Sequence, residues 1–346
     1  MASSVQNNRV STPGYCVCCR TCNMWCWRAF KWLPVLLIVS IITWSYYAYV
    51  IQLCIFTVES TVQQCVYLVL YHILLIMFSW SYWRTIFAEI KPIPDKFKLP
   101  EAELEKLLSA ESEDSQRTIL DNFAKELPIV TRTMSGSVRY CNRCVLVKPD
   151  RAHHCSICAR CVLKMDHHCP WVNNCVCFYN YKFFMLFLGY ALFYCLFIMA
   201  TCLPYFIKFW KGDFGTAASA GRYHIVFAFF VALMFAISLG SLFGYHCYLV
   251  ANNRTTLEAF RAPMFRGGTD KNGFSIGVFN NFKEVFGNCP NLWIVPVFTS
   301  FGDGIVYPVP NQEEESESLL SSERWERWGE RARPFDERES SSFDEL

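Results

Sequence analysis

Between Cys141 and Asn180 the chain reads CNRCVLVKPDRAHHCSICARCVLKMDHHCPWVNNCVCFYN, placing eight of its 19 cysteines and four of its seven histidines in one short stretch. Cysteines two residues apart suit a tetrahedral zinc ion, because a Cys-x-x-Cys turn brings both sulfurs to one metal. Two structural zinc sites need eight ligands. The stretch offers more: Cys141 and Cys144, the triple Cys155, Cys158 and Cys161, and His153, His154, His167, His168, Cys169, Cys175 and Cys177. A zinc-bound thiolate is a poor nucleophile, so any reactive cysteine must come from the surplus. Cys169 stands out because Asp166, His167 and His168 precede it within one short turn. An imidazole beside a thiol can take its proton, and a carboxylate beside the imidazole can fix the tautomer and stabilise the imidazolium. The alternative is that all four residues are only ligands and their supports.

The rest of the chain must position this stretch, and its composition points to a membrane. Of 346 residues 53% are hydrophobic and 18% charged, too apolar for an ordinary soluble protein of this size. A net charge of +2 gives no global field for nucleic acid. Disulfide scaffolds are small and secreted, whereas this chain is long and its polar start leads into a retained anchor, so reduced thiols, metal ligands and lipid attachment are expected. Four apolar segments, Leu33 to Phe56, Cys65 to Phe87, Phe183 to Ile207 and Ile225 to Val250, are each near the ~20 residues that span a bilayer as a helix. Lys and Arg are absent from Thr57 to Gln64 but frequent in the N-terminus, the loop from Ala88 to Lys182 and the segment after Asn252. Both termini and the cysteine-rich loop are therefore placed in the cytosol, although Lys208, Lys211 and Arg222 weaken the rule at the other short loop.

Smaller features fill in the outline. Cys16, Cys18, Cys19, Cys22 and Cys26 lead into the first span and are juxtamembrane acylation candidates or unmodified interfacial thiols. Ser115 to Leu127 carries Ile119, Leu120, Phe123 and Leu127 on one helical face, with Ser115 as its cap, and is expected to pack on the metal domain. Gly240 and Gly244 suit close helix packing within the bundle, or a homodimer. Residues 311–346 are rich in Glu, Ser and Arg and read as disordered, with Glu315 to Leu320 resembling an acidic dileucine signal. The organisation expected is a cytosolic N-terminus (1–32), spans one and two (33–87), a cytosolic loop (88–181) with its zinc-binding domain at about 139–181, spans three and four (182–250), a cytosolic C-terminal region (251–310) and the tail.

KPDRAHHCSICARCVLKMDHHCPWVNNC resembles, nearly residue for residue, the cysteine-rich domain of the DHHC family of protein S-acyltransferases, and TTLE at Thr255 to Glu258 resembles that family's TTxE motif. The resemblance implies an α-helical integral membrane protein with four transmembrane helices and a small cytosolic zinc-binding domain between helices 2 and 3. It implies two structural zinc sites, Cys141, Cys144, His154 and Cys161 in one and Cys155, Cys158, His168 and Cys175 in the other. Cys169 would be the nucleophile, His167 the general base and Asp166 its orienting partner. The activity implied is two-step transfer of a long-chain acyl group from acyl-CoA (palmitoyl-CoA or similar) through acyl-Cys169 to cysteines of membrane-associated proteins, in a multi-pass protein of the Golgi, endosome or plasma membrane.

Other positions acquire expected roles from the same resemblance. Lys148 and Arg151 are candidates for the coenzyme A phosphates, and Trp171 for the thioester site. The apolar bundle would hold the acyl chain: a helix from Lys182 to Tyr194 rises roughly 20 Å at ~1.5 Å per residue, close to an extended sixteen-carbon chain. Tyr194, paired with Ser45, is then a candidate cavity floor. Thr255 and Thr256 read as braces between the last span and the catalytic turn, and Asn281 resembles a C-terminal asparagine motif. Two positions depart from the family pattern: Cys177 stands where glycine is usual, and the aspartate-proline-glycine motif after the second span is missing, with only Pro94 and Asp95 nearby. A zinc-bearing recruitment module and a membrane thiol protease are the rival readings. The first leaves Asp166, His167 and Cys169 without work, and the second lacks an evident oxyanion device.

Overall fold

A computed structural model describes residues 29–212 and 221–309. The N-terminal cysteines 16, 18, 19, 22 and 26 and the segment from Glu315 to Leu320 lie outside the described residues. Four helices are long and apolar enough to cross a membrane: α1 (Leu33–Tyr46, continuing as a π-helix over Tyr47–Ile55), α2 (Thr61–Ile86), α5 (Tyr181–Lys211) and α6 (Gly221–Ala251). The last three run beyond the apolar segments read from sequence. Helix α2 starts at Thr61 because the Ser60 side chain accepts the Gln63 N–H, which caps a polar first turn that hydropathy alone leaves out.

Helix α5 is the most buried span and packs against α2 and α6. The outward faces carry Leu36, Leu37, Val66, Val69, Ile73, Phe227, Met234 and Ile237, all exposed, as surfaces meant for lipid are. The close approach of α5 and α6 centres on Gly189, where a Cβ would meet the Phe243 ring at 3.3 Å. The expected Gly240/Gly244 pair does not form that contact, since a Cβ at Gly240 would reach Leu192 at an ordinary 3.8 Å and one at Gly244 would meet nothing within 4 Å.

The cysteine-rich domain lies between α2 and α5. It is three antiparallel hairpins, β1 (Tyr140–Cys141) with β2 (Leu146–Val147), β3 (His153–Cys155) with β4 (Arg160–Val162), and β5 (His167–Cys169) with β6 (Asn174–Val176). Strands of two and three residues bury too little to hold such a domain alone, so metal staples are the expected source of its stability. Before it come α3 (Glu101–Ser109) and α4 (Glu113–Ala124). Leu120, Phe123 and Leu127 do pack on the domain, against a core that includes Phe97, Cys141 and Leu146. The cap of α4 is Ser112 rather than Ser115: Ser112 accepts the Ser115 N–H at 3.1 Å, and the acidic residues Glu113 and Asp114 fill the first turn. After α6 the chain forms α7 (Thr256–Phe260), a short hairpin of β7 (Met264–Phe265) with β8 (Gly268–Thr269), and α8 (Val278–Phe286).

Candidate active site

The three hairpins interleave their candidate ligands, the middle one contributing to both groups. On β3 and β4, His154 sits opposite Cys161, and Cys141 and Cys144 join them from the first hairpin. His154 Nδ1 lies 3.6 Å from Cys141 Sγ, 3.2 Å from Cys144 Sγ and 3.8 Å from Cys161 Sγ. On β5 and β6, His168 sits opposite Cys175, and Cys155 and Cys158 complete the group, with His168 Nδ1 3.7, 3.5 and 3.6 Å from Cys155, Cys158 and Cys175. A tetrahedron with Zn–S ~2.3 Å and Zn–N ~2.0–2.1 Å has S···N edges of about 3.5 Å, so both donor sets fit zinc. His153 belongs to neither group.

The third hairpin supplies His168 and Cys175 and also carries His167 and Cys169, and strand geometry separates the two pairs. Asp166 to Cys169 were expected within a turn; His167 to Cys169 instead form β5, an extended strand. Alternate side chains on a strand point to opposite faces. His168 therefore faces the metal group, while His167 and Cys169 share the other face, where Cys169 is buried in the same cluster as the helix bundle.

Asp166 and His167 are hydrogen-bonded, Oδ2 to Nδ1, at 2.6 Å, with the carboxylate 1% exposed. Burial opposes the charged imidazole, but the Asp166 hydrogen bond, the Cys169 thiol and the Coulombic pull of both outweigh it, and the ring is pushed up to about 9. Burial likewise opposes the Asp166 carboxylate, yet the His167 bond, its charge and the Thr256 N–H hold it below the usual range. Thr256 donates its N–H to Asp166 Oδ1 and its hydroxyl to Oδ2, each at 2.8 Å. Thr255 caps α7 through the Glu258 N–H, and Glu258 returns the bond to the Thr255 N–H, a capping box that sets the start of α7 against the hairpin.

The hairpin is fixed to the membrane bundle by two asparagines that the sequence reading did not single out. Asn174 Nδ2 lies within bonding reach of the Ile86 and Ala88 carbonyls, both at 3.1 Å, and Asn180 Nδ2 donates to Cys175 O at 2.9 Å and Thr85 O at 3.3 Å. The last carbonyls of a helix have no partner within it, and here they anchor the reactive strand. Asn281 does a similar task for α6, donating to the Ala251 carbonyl at 2.7 Å.

Arg151 does not have the role expected of it. As a candidate for the coenzyme A phosphates it needs a free guanidinium, but it is 2% exposed and committed to the protein: Nε and Nη2 form a fork on the Glu258 carboxylate at 2.8 and 2.7 Å, and Nη1 and Nη2 bond Asn253. Lys164 and Glu284 extend this buried network. Lys148 lines a cavity of about 380 Å³ that the Arg151–Glu258 pair also borders, together with Arg132, Arg139 and Arg261.

Inside the bundle, Ser45 Oγ and Tyr194 OH meet at 2.7 Å, as the sequence pairing expected, and Tyr71 OH joins them at 2.7 Å from α2. Ser45 and Tyr194 also line an apolar cavity of about 100 Å³, together with Ile42, Phe78, Phe187, Ala191 and Phe235. Phe78 and Phe187, with ring centroids 5.8 Å apart, and Tyr82, 4.9 Å from Phe187, belong to the same buried cluster as Cys169. Trp171 is 51% exposed, and its carbonyl accepts the Tyr82 hydroxyl at 2.7 Å. Cys177 is fully buried, its N–H bonded to Asn180 Oδ1 and its thiol pushed up to about 12 by burial.

Comparison with known proteins agrees with this geometry. The family profile described as DHHC palmitoyltransferase matches residues 135–262. Palmitoyltransferase ZDHHC2 of Danio rerio is 56% identical over 82% of this chain and 78% of its own length. Palmitoyltransferase ZDHHC2 of Homo sapiens is 55% identical over 85% and 80%. Palmitoyltransferase ZDHHC15 of Mus musculus is 46% identical over 96% of both chains.

Proposed function

The chain belongs to the DHHC palmitoyltransferases, and from that premise we propose that it transfers long-chain acyl groups from acyl-CoA to cysteine thiols of membrane-associated proteins by way of acyl-Cys169. The observation that carries the reading is the shared strand face of His167 and Cys169, with His167 held by Asp166 at 2.6 Å. In the first stage the Cys169 thiolate attacks the thioester carbonyl, the bond to the coenzyme A sulfur breaks, and the proton on His167 passes to that sulfur. In the second, a substrate thiol gives its proton to His167 and attacks acyl-Cys169, and the Cys169 thiolate leaves. One thioester replaces another, so the enzyme mainly lowers barriers.

Zinc at the two sites would supply structure, holding His154 and His168 and hence the register of β5. Lys148 would meet the coenzyme A phosphates; its place beside Arg132, Arg139 and Arg261 supports this, since converging cations suit a polyphosphate. The acyl chain would run along Phe187 and Phe78 towards Tyr194 and Ser45, and Trp171 would flank the thioester. Thr256 would orient Asp166, and Thr255 and Asn281 would brace the C-terminal region. The excess of Lys and Arg in the loop and C-terminal region supports a cytosolic catalytic domain.

The test is transfer in trans. Purified protein in liposomes, given palmitoyl-CoA and a membrane peptide with one juxtamembrane cysteine, is expected to produce a hydroxylamine-labile acyl peptide. A peptide acylated no faster than with Cys169→Ala overturns the assignment.

A further inference from the structure

Thr256 accounts for one side of the Asp166–His167 pair. The other side is closed by two residues of the bundle that the mechanism above does not use. His246, on α6, is 2% exposed, and one of its ring nitrogens lies within 4.8 Å of both the Asp166 carboxylate and a His167 nitrogen. Its ring centroid is 6.0 Å from that of His167, and Phe184 packs edge-on against both, 5.4 Å from His167 and 5.1 Å from His246. His246 is itself tethered, its Nδ1 2.9 Å from the hydroxyl of Tyr181, the first residue of α5.

A buried imidazole in an otherwise aromatic wall costs free energy unless it has partners, and here Tyr181 bonds Nδ1 while the ring lies within Coulombic reach of the Asp166 carboxylate. A phenol donating to Nδ1 leaves the neutral ring's own proton on Nε2, which fixes the tautomer. We propose that His246, locked by Tyr181, is a positioning residue: it holds the Asp166 carboxylate and the His167 ring from the membrane side, opposite Thr256. The strand alone leaves the His167 ring free to swing about its Cα–Cβ bond. Phe184 and His246 remove that freedom, so the ring stays aligned on Cys169. The arrangement also ties the site to the start of α5 and the end of α6, the two helices whose packing shapes the acyl cavity. The inference rests on the proposed role of His167 and deepens it.

The test uses full-length protein and the rate of acyl-Cys169 formation from labelled palmitoyl-CoA under single-turnover conditions, with zinc content measured on each sample. Tyr181→Phe removes one oxygen and keeps the ring packing; His246→Phe keeps an aromatic wall without nitrogens. Both are expected to slow acylation about tenfold, a fraction of the effect of losing a general base outright, with the KM for palmitoyl-CoA and two zinc ions per chain unchanged. The double variant should be no slower than His246→Phe, because Tyr181 acts through His246, and His246→Gln should recover part of the rate. Wild-type rates in both single variants overturn the proposal. So do additive losses in the double variant, a change confined to KM, or loss of zinc, which would make the pair a structural prop. His167→Ala and Cys169→Ser run alongside: if they acylate normally, the proposed mechanism itself fails, whereas if they are inactive while the His246 variants are normal, only this inference does.

Discussion

Thr256 donates both its N–H and its hydroxyl to the carboxylate of Asp166, each at 2.8 Å, across ninety residues of chain. The carboxylate is thereby held in place before His167 bonds it. Replacing the hydroxyl by a methyl in Thr256→Val leaves the N–H bond and the volume. Acylation of Cys169 is expected to fall about tenfold, the cost of one hydrogen bond to a charged group, with zinc content unchanged. Single-turnover labelling measures it, and an unaltered rate would remove Thr256 from the mechanism.

The fork between Arg151 and Glu258 is buried at both ends, with side-chain exposures of 0% and 6%. Breaking one partner leaves the other charged and alone, so Glu258→Ala is expected to destabilise the domain by about 3–5 kcal/mol. Arg151→Lys should also destabilise it, since an ammonium cannot form the fork. Arg151→Met combined with Glu258→Met should recover part of the loss. Thermal unfolding of the purified variants reads this directly, and it separates a structural Arg151 from one that binds phosphate, whose loss would raise the KM for acyl-CoA and leave stability alone.

The alternation along β5 assigns adjacent histidines to different work. His168→Ala and Cys158→Ala are expected to lose one zinc ion and unfold the second site, whereas His167→Ala should keep both metals and lose acylation by about a hundredfold or more. Zinc quantified by mass spectrometry, beside the labelling rate, decides it. Metal loss from His167→Ala would reverse the roles of the two rings.

Ser45 and Tyr194 line the apolar cavity and meet at 2.7 Å, and Tyr71 bonds Tyr194 at 2.7 Å. Tyr194→Ala should deepen the cavity and shift the preference from palmitoyl towards longer acyl donors. Tyr71→Phe, which removes only one of these contacts, should shift it less. Competition between donors of different length measures the ratio, and an unchanged ratio in Tyr194→Ala places the chain elsewhere.

What the sequence made legible was what lies close together in it. The spans are runs of apolar residues, and the ligands and Asp166, His167 and Cys169 fall within one short motif, so both could be read locally. The strand at His167 to Cys169 reads as part of a turn in the sequence because its pairing partner, Asn174 to Val176, carries no strand pattern of its own. Arg151 was misread because its partners Asn253 and Glu258 lie more than a hundred residues away and nothing near it in sequence is acidic except Asp150, which bonds Thr131 and the Val130 N–H. A buried arginine and an exposed one look alike in a string of letters. The same holds for Asn174, Asn180 and His246, whose value depends on which helix end or ring the fold brings to them.

The central claim is that one thiol, Cys169, carries the acyl group while its eight neighbouring ligands hold the zinc sites. Purified protein incubated with labelled palmitoyl-CoA should gain one hydroxylamine-labile acyl group at Cys169, and Cys169→Ser should gain none while retaining two zinc ions per chain. Undiminished labelling of the domain in Cys169→Ser, with Cys177 and the N-terminal cysteines also replaced, would contradict it.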